Sequence, residues 1–142
     1  IDLMLVWCFV WSYGGYIVLR SLLTKPDFFI SGVAVAPVTD WALYDTHYTE
    51  RYMGLPQDKG HAYRDSGCLH LAANLQSSLL LIHGMADDNV LYSHSTSMYE
   101  ALQKAGKQFR IMAYPGAKHG IYGRENKRHL FQLITDFFTE TL

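Results

Sequence analysis

Four short apolar runs separated by longer amphipathic segments constrain the fold of this chain more than any other feature. Short apolar runs that stop at Gly or Pro are typical of buried strands, and apolar residues recurring every three or four positions are typical of helices. The predicted strands span Leu3–Val10, Gly32–Ala36, Ser78–His83 and Phe109–Tyr114, and the predicted helices span Gly14–Leu23, Asp45–Met53, His61–Ser66, Ser93–Ala105 and Asn126–Phe138. This alternation predicts an α/β fold, in which a mostly parallel sheet carries helices on both faces.

Composition agrees with a folded domain and argues against one class of partner. Of the 142 residues, 49% are hydrophobic and 18% are charged, which is typical of a chain that can bury a core. The formal net charge of −1 argues against nucleic acid as a partner, because phosphate binding needs a basic face. Cys8 lies in a predicted strand and is interpreted as a buried free thiol, a disulfide with Cys68 being the alternative.

Ser12 lies in the sequence Trp11-Ser12-Tyr13-Gly14-Gly15, between the first predicted strand and the first predicted helix. A sharp turn at this point would present the hydroxyl at the end of a sheet, in front of the N–H groups of a helix N-terminus. This arrangement indicates a serine nucleophile. The usual signature is G-x-S-x-G, and here Val10 stands in place of the first glycine. We expect a side chain at Val10 to crowd the turn.

Two further residues follow strands in the order that a Ser-Asp-His triad requires. Asp87 comes after the third predicted strand and His119 after the fourth. The carboxyl ends of parallel strands meet at one edge of a sheet, so Ser12, Asp87 and His119 are predicted to lie together. Taken singly, the aspartate could form a turn, Asp88 could cap the next helix, and the histidine could be solvated.

A metal site is a weaker alternative at the same place. His83 ends the third predicted strand and lies four residues before Asp87. No second histidine stands at helical spacing from His83, so the chain lacks a usual zinc pattern. The sequence therefore predicts no metal.

The chain resembles the prolyl oligopeptidase family of serine peptidases, and within it the dipeptidyl peptidases, bacterial ones in particular. The resemblance covers almost the whole chain, and the tract around Tyr48 is far more specific than a general hydrolase motif. Its segments are Trp11–Tyr16, Ala34–Trp41, Tyr44–Gly54, His83–Val90 and Tyr114–Gly120. It implies the C-terminal half of an α/β-hydrolase catalytic domain over residues 1–142, with the N-terminal part of that domain and a β-propeller outside these residues.

The resemblance also implies a role for individual residues. Ser12 is the implied nucleophile, His119 the base and Asp87 the residue that orients the base, while the backbone N–H of Tyr13 is one oxyanion donor. Asn89 is the implied partner of a substrate backbone carbonyl. The implied proline-accepting pocket is walled by Val38, Trp41, Tyr44, Tyr48 and Val90. Flat apolar rings suit proline, although ordinary core filling would also explain these aromatic residues.

The activity implied is hydrolysis of peptide bonds after proline or alanine through an acyl-enzyme, with release of N-terminal dipeptides and no cofactor. Two alternatives stay open, a catalytically silent accessory protein of the same fold and a related α/β-hydrolase such as an acylaminoacyl peptidase. The implied partners are peptide substrates and a second copy bound through the helix Asn126–Phe138, although a helix packed within its own domain would show the same apolar stripe. Localisation is not assigned, since relatives are periplasmic, membrane-associated or cytosolic.

Overall fold

The computed structural model describes residues 6–141, which form one parallel sheet and its helices. The four strands pair in the order β1-β2-β3-β4, and every pairing is parallel. The strands are β1 (Val6–Trp11), β2 (Phe29–Val35), β3 (Ser78–Gly84) and β4 (Arg110–Tyr114). The helices are α1 (Tyr13–Thr24), α2 (Thr46–Met53), α3 (Pro56–Ser66), α4 (Ser93–Lys104) and α5 (Arg124–Thr141), with short 3₁₀ helices at Trp41–Leu43 and Leu69–Asn74.

The sheet is buried on both faces, as the sequence predicted. Successive side chains of a strand point to opposite faces, so Leu79 and Leu81 of β3 enter one core while Leu80 and Ile82 enter the other. The first core is completed by α1 and α4, and the second by α5. The predicted parallel sheet with helices on both faces is confirmed.

Helix α1 packs closely on the sheet because β2 has a glycine beneath it. Leu19, Leu22 and Leu23 are fully buried on the sheet-facing side of α1. A Cβ at Gly32 would lie 2.8 Å from Leu22 and 3.0 Å from Val18, closer than packed atoms allow. The missing side chain therefore lets α1, and with it the turn at its start, sit close to β2.

Several predicted boundaries differ from the observed ones for local reasons. Helix α3 begins at Pro56 rather than at His61, because proline is well suited to the first position of a helix, and it is kinked at Lys59. Strand β2 begins three residues before Gly32, at Phe29. The two 3₁₀ helices carry no periodic signal and were not predicted. Residues 3–5 of the first predicted strand lie outside the described residues.

The strand ends place the predicted catalytic residues at one edge of the sheet. Ser12 follows β1 directly, Asp87 follows β3 by three residues and His119 follows β4 by five. These strands are parallel neighbours through β2, so their carboxyl ends share an edge. None of the helices within residues 6–141 has the length and apolar character needed to cross a membrane.

Candidate active site

Ser12 occupies a strained turn between β1 and α1. Its φ of 59° and ψ of −122° lie in a region that residues with a side chain rarely adopt. The Ser12 N–H donates to the Val35 carbonyl of β2 at 2.8 Å, and the Ser12 carbonyl accepts from Tyr16 at 3.1 Å. The turn is therefore held from both sides, by the neighbouring strand and by the first hydrogen bond of the helix.

Val10 is accommodated in this turn because Gly14 faces it. A Cβ at Gly14 would overlap the Val10 side chain, so position 14 leaves the space that Val10 fills. Val10 itself is 45% exposed and is not pressed into the core. Gly15 serves a different contact, since a Cβ there would lie 2.9 Å from the Val35 carbonyl oxygen. Val10 therefore does not crowd the turn, because Gly14, the residue that faces it, has no side chain.

The N-terminus of α1 supplies hydrogen-bond donors beside Ser12. Tyr13 is the first helical residue, and the first N–H groups of a helix have no carbonyl partner within it. The helix dipole adds partial positive charge at the same end. The Tyr13 N–H is therefore not used within the helix, and its role as an oxyanion donor stays a prediction.

The buried Asp87 carboxylate orients His119 and closes its own turn at the same time. Its Oδ1 accepts from the backbone N–H groups of Asn89 at 2.9 Å and Val90 at 3.0 Å. Its Oδ2 lies 2.8 Å from Nδ1 of His119. The sequence offered turn formation and orientation of a base as alternatives, and the carboxylate makes hydrogen bonds suited to both, with different oxygens.

The Asp87 and His119 loops are joined by further contacts. The Ala86 N–H donates to the Ala117 carbonyl at 3.0 Å, and Lys118 forms an ion pair with Asp88 at 2.6 Å. Lys118 lowers the pKa of the Asp88 carboxyl, and Asp88 raises the pKa of Lys118. Asp88 therefore does not cap α4, whose start has no side-chain cap. These contacts between the loops limit how far Asp87 and His119 can move apart.

His119 is also anchored by the turn in which it lies. The Ile121 N–H donates to the Lys118 carbonyl at 2.9 Å, which closes the turn around His119. Ile121 is fully buried with a φ of 43°, an unusual conformation for a β-branched residue. Burial of the Ile121 side chain in the core beneath α5 opposes this strain and so holds the turn.

The Ser12 and His119 segments meet through Trp11. The Trp11 indole N–H donates to the His119 carbonyl at 2.8 Å, which places the histidine loop beside the serine turn. Among residues 6–141 no hydrogen bond joins Ser12 Oγ to the His119 ring. Such bonds are often long before substrate binds, so this geometry is compatible with a catalytic base. Sequence reasoning missed Trp11, whose only signal is its position directly before the serine.

Aromatic side chains cluster on the other side of the serine turn. Trp41 stacks on Tyr48 with ring centroids 6.1 Å apart, and Tyr44 meets both rings edge-on, at 5.9 and 5.7 Å. Val38 and Val90 are buried in the same cluster as Trp41. All five predicted wall residues therefore come together, and Trp41 is also a core residue. A neighbouring cavity of about 350 Å³ is lined by Tyr13, Tyr16, Trp41, Tyr48, Thr49, Tyr52, Met53 and Ser66.

Asn89 is oriented by Tyr44. The Tyr44 hydroxyl donates to Asn89 Oδ1 at 3.0 Å, which leaves the amide Nδ2 free to donate to another carbonyl. Burial, followed by the charges of Asp45 and neighbouring groups, raises the pKa of Tyr44 and keeps the phenol protonated. The Asn89 amide Nδ2 could therefore donate to a substrate backbone carbonyl, and that role stays a prediction.

His83 is held by hydrogen bonds and lies beside Asp87. Its Nε2 lies 3.1 Å from Asp87 Oδ2, so the two residues that suggested a metal contact one another directly. Within residues 6–141 no group of three potential ligands is arranged to hold a metal ion. Sequence reasoning found the pair but missed the hydrogen bond between them.

Comparison with known proteins gives consistent matches. A family model described as "Prolyl oligopeptidase family" matches residues 2–142. Dipeptidyl peptidase 4 of Bos taurus is 42% identical over 133 residues, which cover 92% of this chain and 17% of the relative. The crystal structure of Porphyromonas gingivalis dipeptidyl peptidase 4 aligns at a TM-score of 0.97 and 39% identity, over 100% of this chain and 20% of that one. A putative dipeptidyl aminopeptidase IV from Bacteroides ovatus aligns at 0.96 and 34% identity, over 99% of this chain and 20% of that one.

The match to these structures assigns the fold. The described residues have the α/β-hydrolase fold, and the predicted fold class is confirmed. The chain spans between 17% and 20% of the length of these relatives.

Proposed function

Because this chain belongs to the prolyl oligopeptidase family, we propose that it carries the catalytic residues of a serine-type dipeptidyl peptidase. The proposed reaction is hydrolysis of the peptide bond after proline or alanine, with release of an N-terminal dipeptide. The names of the similar proteins support this reaction class. The observation that carries the proposal is the 2.8 Å contact of Asp87 with His119, beside the strained turn of Ser12.

Acylation begins at the Ser12 hydroxyl. Ser12 Oγ attacks the carbonyl carbon of the scissile bond while His119 Nε2 takes the hydroxyl proton. Asp87 Oδ2 accepts the hydrogen bond from Nδ1, which holds the ring orientation and stabilises the imidazolium. The Tyr13 N–H donates to the oxyanion of the tetrahedral intermediate. His119 then gives its proton to the leaving amine, and the dipeptide remains as an ester on Ser12.

Deacylation uses the same residues with water as the nucleophile. His119 takes a proton from the water, whose oxygen attacks the ester carbonyl of the acyl-enzyme. Collapse of the second intermediate breaks the bond to Ser12 Oγ, and the proton returns to that oxygen. The dipeptide leaves as a free acid and the enzyme is restored.

The aromatic cluster supports specificity for a small residue before the scissile bond. The rings of Trp41, Tyr44 and Tyr48 lie with their centroids 5.7 to 6.1 Å apart. Val38 and Val90 are buried in the same cluster as Trp41. Flat apolar walls suit the proline ring and also admit alanine. The oriented Asn89 amide then donates to the carbonyl of the preceding residue.

We also propose that α5 contributes to a contact with a second copy of the protein. The apolar stripe of α5 that predicted dimerisation packs against the sheet, since Leu130, Ile134 and Phe137 are buried. Phe131 is 53% exposed and lies next to Phe9 of β1, so it is the residue of α5 that supports a second copy as partner. Sedimentation of the full-length protein and of Phe131→Lys tests this, and an unchanged mass for the variant would argue against it.

Active-site labelling and paired substrates test the proposed activity. We expect the full-length protein to react with a fluorophosphonate and to hydrolyse a Gly-Pro reporter in preference to acetyl-Ala. We expect Ser12→Ala to abolish labelling and to lower kcat by roughly 10⁶-fold. Preference for acetyl-Ala would indicate an acylaminoacyl peptidase. Absence of labelling in the unmodified protein would indicate a silent accessory protein.

A further inference from the structure

His83 is a buried titratable residue that the proposed mechanism does not use. It is the penultimate residue of β3, and its side chain is 0% exposed. Its Nδ1 lies 2.7 Å from the Ser95 hydroxyl of α4. Its Nε2 lies 2.8 Å from the Val90 carbonyl and 3.1 Å from Asp87 Oδ2. Both ring nitrogens are therefore engaged, and one of them meets the carboxylate that orients the catalytic base.

These contacts determine where the His83 proton lies. The Val90 carbonyl and the Asp87 carboxylate only accept hydrogen bonds, so His83 Nε2 must carry the hydrogen. In the neutral ring Nδ1 then accepts from the Ser95 hydroxyl. Burial lowers the pKa of His83 and outweighs the opposing effects of the Val90 carbonyl and Asp87. His83 is thus a neutral donor in a fixed tautomer.

Two histidines share a single oxygen of Asp87. His83 Nε2 and His119 Nδ1 both reach Oδ2, at 3.1 and 2.8 Å. The His83 ring is fully buried, whereas the His119 side chain is 24% exposed. His83 therefore stays neutral beside Asp87, because burial makes the charged form of its ring costly.

We propose that His83 is a positioning residue for the triad: its neutral Nε2–H fixes Asp87 Oδ2 in line with His119 and shares the negative charge of that oxygen. This inference rests on the proposed function of the triad. Without the second donor, the carboxylate can rotate about its bond, and its whole charge acts on His119. The donor thus tunes how strongly His119 is held in its protonated form.

Among residues 6–141, no other side chain donates a hydrogen bond to Asp87 besides His83 and His119. Tyr92, which precedes α4, meets the His83 ring edge-on with ring centroids 5.5 Å apart. His94 of α4 lies close enough for His83 to disfavour its protonation. His94 is neutral near pH 7, because burial lowers its pKa to about 4. From the loop after β4 only His119 faces this pair.

Three variants separate positioning from structural support. His83→Gln keeps a side-chain N–H that can reach Asp87 Oδ2, whereas His83→Leu fills a similar volume without a donor. Ser95→Ala leaves the ring in place but removes the hydroxyl that donates to Nδ1. Each is made in the full-length protein and checked for folding by its thermal transition, and Ser95→Ala serves if His83→Leu does not fold.

The decisive readout is the pH dependence of Gly-Pro reporter hydrolysis. We expect His83→Leu to lower kcat by roughly 10- to 100-fold with little change in KM. We also expect the acidic limb of its kcat/KM profile to move to higher pH by roughly 0.5 to 1 unit, because an ordinary hydrogen bond has about this net strength. The acidic limb of His83→Gln should lie at the same pH as that of the unmodified protein. The limb of Ser95→Ala should lie between those of the unmodified protein and His83→Leu. An equal loss at every pH, without a shift in His83→Leu or Ser95→Ala, would overturn the proposal.

A second measurement does not depend on activity. In protein labelled with ¹⁵N-histidine, we expect His83 to show a protonated Nε2 and an unprotonated Nδ1 from pH 5 to 8. A charged ring or the opposite tautomer would overturn the proposal. If the unmodified protein neither hydrolyses the reporter nor reacts with a fluorophosphonate, the proposed function fails, and these nitrogen signals still support or overturn the arrangement through which His83 acts.

Discussion

Trp11 donates its indole N–H to the backbone carbonyl of His119 at 2.8 Å, so the residue before the candidate nucleophile holds the loop of the candidate base. The bond joins segments 108 positions apart in the chain. It connects the end of β1 directly to the loop after β4, which are otherwise separated by β2 and β3. The relative position of Ser12 and His119 therefore depends on a side chain that takes no part in the chemistry.

Removing this donor should affect turnover more than binding. We expect Trp11→Phe to lower kcat roughly tenfold while KM changes little, because a small misplacement of the base costs rate steeply. The measurement is steady-state hydrolysis of a Gly-Pro reporter. Trp7→Phe is the matched control, since Trp7 lies on the same strand and its indole is half exposed. Equal effects of the two changes would contradict the assigned role of Trp11.

The contact between Val10 and Gly14 predicts a compensating pair of substitutions. Gly14→Ala should destabilise the protein by about 1 to 3 kcal/mol, because its Cβ would overlap the Val10 side chain. Adding Val10→Gly should recover most of that loss, since it removes the overlapping atoms. Denaturant unfolding of the two single variants and the double variant gives the coupling energy. Additive effects would show that Val10 does not occupy the space beside Gly14.

Loss of the Tyr44 hydroxyl should weaken substrate binding through Asn89. We expect Tyr44→Phe to raise KM by roughly 2- to 10-fold, because the Asn89 amide loses the hydrogen bond that fixes its orientation. In Asn89→Ala the same change should have much less effect. A double-mutant cycle on KM for the Gly-Pro reporter measures this coupling. A full effect of Tyr44→Phe in the Asn89→Ala background would mean that Tyr44 acts on substrate by another route.

His94 predicts a pH dependence of stability. Burial, with a smaller effect of His83, lowers the pKa of His94 from 6.5 to about 4 in the folded protein. The unfolded chain therefore binds the proton more readily between these values. This contribution to stability is present above about pH 6.5 and is lost as the pH falls towards 4. The slope from one such group is at most about 1.4 kcal/mol per pH unit.

A substitution at position 94 isolates that contribution. His94→Asn keeps an acceptor for the Thr39 N–H, which now donates to His94 Nδ1 at 3.2 Å, and it does not titrate. We expect it to flatten the pH dependence of the free energy of unfolding between about pH 4 and 6.5. His47→Asn, at an exposed position, is the control and should leave the slope unchanged. An unchanged slope in His94→Asn would assign the pH dependence to other groups.

The order of elements was readable in the chain because it depends on local chemistry. Apolar runs such as Ser78–His83 and the periodic stripe of α5 report burial on the sheet, and they predicted β3 and α5 to within a few residues. The parallel sheet was predicted from this order, because a helix between two strands can cross over the face of the sheet and leave the two strands parallel. Ser12, Asp87 and His119 were predicted to share an edge for the same reason. The start of α3 at Pro56 was missed, since the predicted helix began at His61, although proline suits the first position of a helix.

The contacts that complete the site could be decided only by the tertiary structure. Trp11 reaches His119, Tyr44 reaches Asn89 and His83 reaches Asp87. No sequence pattern records the first two pairs, because each depends on the distance between loops that are brought together by packing of the whole sheet. His83 and Asp87 are close in sequence, yet the position of the His83 ring also depends on Ser95 of α4 and on the Val90 carbonyl, which hydrogen-bond its two nitrogens. Local periodicity determines which elements form, whereas hydrogen-bond partners depend on ångström distances that arise only once those elements pack.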